Sequence, residues 1–325
     1  MFESPEELRA FTSELDQSTW TLAAIGALFE SGLAAHLREP RTIEELAARL
    51  PALPAGRIRR IVAIAALSGL VSSEGDRHQL APGAAPLAGP PRSIALAGDI
   101  RSTLMQAVAF LDDCLSPRAS RGWLHTNPAI LQAQGDASSA LAGFLGELLP
   151  TIDDAGVRLA RPGARFLDVG TGVGALAIAM CRVFPALAVV GLDVSDAALA
   201  IAKKNVAGAS LGERIELRRL PIEDLREESA FDLAWLPSFF IPTTPVAAAR
   251  IHAALRPGGH LVLAFGGTSS DPRSNAVWSL IEDLWGGAGA PPEEVPAILL
   301  RAGFSSTRAI PGPAWAPSLV VARRD

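Results

Sequence analysis

The spacing of apolar and polar residues changes character near residue 165. Before that point apolar residues recur at helical intervals in short segments. After it, short apolar runs alternate with amphipathic stretches of helix length. Pro5–Leu15 predicts a helix opened by a Ser4-x-x-Glu7 capping pattern. Thr19–Ser31 is apolar nearly all round, which predicts a buried helix. RTIEELAARL (Arg41–Leu50) carries a second capping box, Thr42 with Glu45, and PAGRIRRIVAIAALSGLV predicts a helix with a basic first turn and an apolar body. Two short polar segments around Gly75-Asp76 predict a hairpin. Helices followed by a small hairpin, over residues 1–92, follow the order of a winged helix-turn-helix. Residues 93–160 predict a helical linker or lid, broken at Pro117 and at Asn127-Pro128.

Over residues 161–325 strand and helix alternate. RFLDVG, ALAVVGLDV, RIELRRL, FDLAWL and HLVLAFGG predict five strands. Gly174–Phe184, SDAALAIAKKNVAGA and VAAARIHAALRPGG, the last ending on Pro-Gly-Gly, predict the helices between them. Helices around Ala276–Trp285 and Glu293–Ala302 follow. AGFSSTRAI and SLVVARR then predict a terminal strand pair around the turn-rich IPGPAWAP. The expected fold is α/β: a Rossmann-like sheet, mostly parallel with the last strand antiparallel, preceded by a mainly helical, winged-helix-like domain. Ligands of such sheets bind at the carboxyl ends of the strands.

A length of 325 residues allows two domains. The net charge of −5 is a poor electrostatic match to nucleic acid. MFESPEELRAF is acidic and lacks the apolar run of a secretory signal, and no run of 18 apolar residues occurs, so a cytoplasmic protein that does not span a membrane is expected. Cys114 and Cys181 lie far apart without ligand-like spacing and read as reduced thiols. No His/Asp/Glu cluster has metal-ligand spacing, so no metal is expected.

The chemistry concentrates in FLDVGTGVGALAIA (Phe166–Ala179). Read from Gly170 it satisfies G-x-G-x-x-G/A, a dinucleotide fingerprint; read from Asp168 it satisfies D-x-G-x-G-x-G. Either way the glycines let the backbone turn tightly and let a ligand approach the next helix closely. Asp168 would repel a pyrophosphate and attract an ammonium or sulfonium. Asp193, ending the next strand, suits a ribose diol in either reading. The closing AGF…SLVVARR hairpin is unlike a dinucleotide domain.

At FLDVGTGVG, GLDVS and LRPGGHLVLAF the chain resembles class I S-adenosylmethionine-dependent methyltransferases, a likeness running from Arg165 to the C-terminus. More loosely, RTIEELAARL…GRIRRIVAIAALSGLVSSEGDRHQLAPGA resembles the winged-helix dimerisation domain of small-molecule O-methyltransferases. The resemblance implies a seven-stranded methyltransferase sheet with S-adenosylmethionine as cofactor. It implies a glycine loop of Gly170, Gly172 and Gly174 under the methionine part, with Asp168 by its ammonium. Asp193 would hold the ribose, Val194 would pack on adenine, and Ile222 and Glu223 would meet adenine. The backbone of Leu236 would face the amino-acid end. Pro221 stands where the family often places an acid or amide.

Many O-methyltransferases of this type place a catalytic histidine after the fourth strand, but AWLPSFFIPTTPVAAAR contains neither histidine nor acid. Of five histidines, His125 is the candidate base or substrate ligand, with Trp123 beside it and Gln134 in the same block. His36, His78, His252 and His260 read as structural or surface groups, and Asp112 and Asp113 as a solvated helix face. Trp123, Gln134, Phe239 and Trp278 are the expected acceptor contacts; Trp235, Phe240 and Trp285 are weighed beside them against a plain core role.

The leading expectation is transfer of a methyl group to a small apolar or aromatic metabolite, on O, N or C, with positioning dominant. The alternatives are a non-methylating cyclisation or elimination at the same cofactor, and a winged-helix DNA-binding regulator. Thr19–Ser31 needs a partner surface, from the chain's own core or from a second copy, and a homodimer is expected.

Overall fold

The computed structural model describes residues 2–114, 123, 125–265, 271–286, 290–291, 293–311 and 318–325. The break at Pro117 and most of IPGPAWAP lie outside the described residues. Two compact units divide the chain: Met1–Asp112 with Gln132–Ala140, and Asp113–Leu131 with Leu141–Asp325.

The first unit holds α1 (Pro5–Glu30), α2 (Leu33–His36), α3 (Ile43–Arg49), α4 (Ala55–Leu67), β1 (Val71–Glu74), β2 (Arg77–Leu80), α5 (Arg92–Asp113) and most of α6 (Pro128–Ser138). The Thr42–Glu45 box forms as the sequence predicts. The Thr42 hydroxyl accepts from the Glu45 amide at 3.2 Å, and the Glu45 carboxylate accepts from the Thr42 amide at 2.9 Å. At Ser4 the box slips by one residue: Ser4 caps the Glu7 amide, but the Glu7 carboxylate accepts from Glu3. The hairpin of β1 and β2 is tied to the helices by a bridge between Arg41 and His78.

The two helices expected before Ser31 are one, because nothing between Leu15 and Thr19 breaks the helix. It is not the buried element expected: only Gly26, Leu28 and Phe29 are buried, and Trp20 is 70% exposed. Leu28, Leu33, Leu37, Leu46, Ile58 and Val62 form this unit's core.

The linker expected over 93–160 is divided between the units, because α5 and α6 meet closely. A β-carbon on Gly98 would stand 2.6 Å from Cβ of Asp136 and 2.8 Å from the Ala133 carbonyl oxygen. Residues Arg92–Asp112 have the length and hydropathy of a membrane span. Yet the same helix donates from Ser102 to Gln134 at 2.8 Å and pairs Arg101 with Glu30 at 2.5 Å, as a packed protein helix does.

After Leu131 the second unit resumes at Leu141, within α7 (Ala140–Leu148), and continues with α8 (Ala155–Leu159). The sheet elements follow in alternation: β3 (Arg165–Val169), α9 (Ala175–Val183), β4 (Ala188–Asp193), α10 (Asp196–Gly208), β5 (Ile215–Arg219), β6 (Phe231–Pro237), α11 (Pro245–Ala254) and β7 (Leu255–Phe265). Then come α12 (Pro272–Trp285), α13 (Val295–Arg301), β8 (Ser306–Ile310) and β9 (Ser318–Arg323). The strand order is β5-β4-β3-β6-β7-β9-β8, parallel except for β9, which runs antiparallel between β7 and β8.

Alternate strand residues feed two cores, one on each face. Phe166, Val189, Leu233, Val262 and Val321 join helices α7 to α9; Leu167, Val190, Ala234, Leu263 and Val320 join α11 and α13. Strand β6, buried at every position, reads as a continuous apolar run for that reason.

The expected end of α11 on Pro-Gly-Gly is corrected. The helix stops at Ala254, and Pro257-Gly258-Gly259 lies within β7, where pairing jumps from Phe231↔Leu255 to Leu233↔His260. Gly258, at φ +75°, leaves its open side to the Arg158 guanidinium, which donates to the Pro257 carbonyl at 3.0 Å. Because β4 lies on one side of β3 and β6 on the other, the strand order reverses at β3, the place where such sheets take ligands at their carboxyl edge.

Candidate cofactor and acceptor site

The loop after β3 is a left-handed zigzag, with φ of +71° at Gly170, +56° at Gly172 and +77° at Gly174. Side chains rarely adopt such angles, which is why glycine recurs at every second position. Thr171 between them anchors the loop: its amide donates to the Leu192 carbonyl at 2.8 Å, and its carbonyl accepts from Gly174 at 2.8 Å. Its hydroxyl donates to Asp168 at 2.7 Å. The Thr171 side chain fits because Gly191 of β4 has none; a β-carbon there would stand 2.7 Å from Oγ1.

Two carboxyls flank the loop. Asp193, half-buried, accepts from the Gly172 amide and from the Ser195 amide, both at 2.8 Å. Burial raises its pKa, and the amide bonds oppose that rise. Asp168 is 1% exposed. Burial pushes it up to about 7; the Thr171 bond opposes the shift and the nearby Asp193 adds to it. Neither carboxyl is paired with a cation among the described residues. Space around Gly172 is open, and Val194, next to Asp193, is 62% exposed. The glycine loop thus holds two carboxyls that burial destabilises as anions, next to open backbone at Gly172. That donor set fits a cationic ligand and repels a pyrophosphate.

The loop after β6 builds the other wall. Pro237 accepts from the amides of both Phe240 and Ile241, at 2.9 and 3.0 Å, so the chain turns tightly. The turn presents Phe239 and Phe240 to Trp285, and Phe240 also to Trp123. Phe240 stacks on Trp285 with centroids 4.4 Å apart, Trp123 stands edge-on to Phe240 at 5.0 Å, and His125 stands edge-on to Trp123 at 4.7 Å. Trp278 reaches Trp285 at 6.2 Å. Burial lowers the His125 pKa, so the ring is neutral near pH 7.

Residues 166–259 match the family described as "Methyltransferase domain". Residues 166–259, within the second unit, thus carry a methyltransferase domain. The release factor glutamine methyltransferase of Gloeobacter violaceus is 35% identical over 103 residues, 29% of this chain and 34% of that protein. The ubiquinone biosynthesis O-methyltransferase of Hahella chejuensis is 33% identical over 121 residues, 36% of this chain and 48% of that protein. The chain thus spans between a third and a half of the length of these curated relatives.

Solved structures match over the whole chain. Human N-acetylserotonin methyltransferase, in complex with S-adenosylmethionine, superposes at TM-score 0.64 with 18% identity, covering 100% of this chain and 99% of that one. Mitomycin 7-O-methyltransferase does so at TM-score 0.60 with 22% identity, covering 98% of each chain. At such identities the likeness is one of fold.

In the methyltransferase domain, the structure brings Gly170, Gly172, Gly174, Asp168, Asp193 and Val194 to one edge. Asp168 is 1% exposed, and its carboxyl accepts from the Thr171 hydroxyl of the loop. Ile222 is buried at 3% under the exposed Glu223, and the Leu236 side chain is wholly in the core, leaving it only its backbone.

Trp123, His125, Phe239 and Trp278 converge on one aromatic cluster. Phe240 and Trp285, which the sequence leaves near a core role, sit at the centre of the cluster. Only the position of Phe240 next to Phe239, after a strand end, could have signalled this. Trp235 is core, 3% exposed. Gln134 belongs to the first unit, where Ser102 and Gln106 donate to its amide oxygen. His260, 1% exposed, meets Asp153, and His252 stands edge-on to Phe304.

Proposed function

We propose that this protein transfers a methyl group from S-adenosylmethionine to a small, apolar or aromatic metabolite at O, N or C. The observation carrying this reading is the meeting of two cation-seeking carboxyls and an aromatic cluster at one sheet edge. Gly170, Gly172 and Gly174 would pass under the methionine part, Asp168 would supply negative charge toward its ammonium, and Asp193 would take the ribose diol. Val194, Ile222 and Glu223 would line the adenine end, with the Leu236 backbone nearby. When bound, the cofactor supplies an electrophilic methyl on sulfur. Phe239, Phe240, Trp123, Trp278 and Trp285 would hold a flat acceptor and exclude water, so alignment supplies most of the rate.

The loop after β6 offers hydroxyls and no acid or imidazole, so an acceptor that is already nucleophilic suits the site. Where the acceptor carries a proton, His125, which stands edge-on to Trp123 and whose pKa burial lowers, would take it.

The first unit would serve as a winged-helix dimerisation domain, since Leu8, Leu15 and Trp20 leave apolar surface exposed along α1. The net charge of −5 speaks against a DNA reader. A cytoplasmic enzyme of secondary metabolism fits the small-molecule names of several solved relatives. The test is calorimetric binding of S-adenosylhomocysteine, followed by methyl-labelled cofactor with a panel of phenols, amines and activated carbons. Absence of binding refutes the reading. Turnover of an acceptor without label in the product would establish a non-methylating reaction instead.

A further inference from the structure

Glycine at 170 does more than permit a turn. A β-carbon built there would stand 2.8 Å from Cδ1 of Ile241 and 3.6 Å from Cγ of Pro237. Ile241 therefore rests directly on the backbone of the first glycine of the cofactor loop. The turn that carries Ile241 is stiff. Its two amides share the Pro237 carbonyl, and its ends are clasped by Ser238 and Thr243, whose hydroxyl oxygens lie 2.7 Å apart. Both clasp residues are more than nine-tenths buried, at 6% and 3% exposure. One peptide bond from Ile241, Phe240 stacks on Trp285. On its other side, Trp123 packs on a small apolar cluster that includes Val173 of the same glycine loop, with Leu131 and Ala198. The cofactor loop and the aromatic cluster thus touch at two points, Ile241 on Gly170 and Trp123 by Val173.

We infer that Ile241 is a positioning residue that ties the aromatic acceptor cluster to the occupant of the glycine loop, so that cofactor binding sets the cluster before the acceptor enters. The inference rests on the reading that the glycine loop receives the cofactor. A ligand approaching Gly170 must share that surface with Cδ1 of Ile241. A turn held by two backbone bonds and a buried clasp transmits the resulting shift to Phe240 rather than absorbing it.

The tryptophans report the effect. S-adenosylhomocysteine is titrated into the whole protein by fluorescence and, in parallel, by calorimetry. The wild type gives a saturable change, and Trp285→Phe removes most of it. Ile241→Ala keeps the calorimetric affinity within about threefold but loses at least about half of the fluorescence amplitude. Ile241→Leu, which restores a δ carbon, recovers the amplitude. Thr243→Val, which opens the clasp and leaves Ile241 in place, also diminishes it and carries the test if Ile241→Ala does not fold. Calorimetric binding with no fluorescence change in the wild type, or with an equal change in Ile241→Ala and Thr243→Val, overturns the inference while leaving the proposed function standing. Absence of calorimetric binding by the wild type overturns both.

Discussion

Replacing Asp168 with Asn separates what this carboxyl does for the ligand from what it costs the fold. The folded protein holds the Asp168 proton up to a pH of about 7, whereas an ordinary aspartate loses it near 3.8. The group is raised, so its protonation favours the folded state. That contribution is complete below pH 3.8 and is lost as pH climbs through about 7. The gap corresponds to roughly 4 kcal/mol of lost stability above pH 7, and to roughly 1–2 kcal/mol at pH 5. Asn does not titrate, and its amide oxygen can still accept the Thr171 hydroxyl. Any fixed misfit of the new amide is the same at every pH and cancels between conditions.

Urea unfolding of wild type and Asp168→Asn at pH 5 and pH 8, without cofactor, should therefore show the variant gaining about 2–3 kcal/mol relative to wild type between the two. Binding should move the other way. A ligand with an ammonium group prefers the ionised carboxyl, so wild-type affinity for S-adenosylhomocysteine should rise with pH through about 7 while the variant's stays flat. A stability gap that does not change between pH 5 and pH 8 refutes the reasoning.

Three further outcomes follow from the geometry. His125→Gln should lower kcat by about 10²–10⁴-fold with an acceptor that must lose a proton. It should leave S-adenosylhomocysteine affinity unchanged by calorimetry, and an unchanged kcat removes His125 from the chemistry. Gly191→Ala drives a β-carbon into Thr171 and should cost about 1–3 kcal/mol in urea unfolding and weaken cofactor binding. Trp20→Glu should shift sedimentation toward monomer without lowering thermal stability of the second unit; an unchanged mass removes α1 from any interface.

Strand and helix alternation after residue 165 was legible because both periods are local and the strands are covered on both faces. The glycine loop was legible because left-handed turns demand glycine. Elsewhere the deciding interaction was not local. The exposure of Trp20 depends on which faces of α1 find neighbours. Phe240 and Trp285 meet across 45 positions of sequence, and no local pattern distinguishes an aromatic in such a cluster from one in a core, as Trp235 shows. Pro257-Gly258-Gly259 reads as a helix stop, yet the stop occurs three residues sooner, at Ala254, because Leu255 already pairs with Phe231.

The place of β9 has a consequence for assembly of the sheet. During synthesis β8 leaves the ribosome before β9, yet among the described residues β8 hydrogen-bonds to no strand but β9. It must wait without a partner until Ser318–Arg323 slots beside β7. Damage confined to β9 thus removes two strands rather than one. It also strips the partner from one side of β7, whose apolar run Leu261–Phe265 then becomes an open template for pairing with another chain.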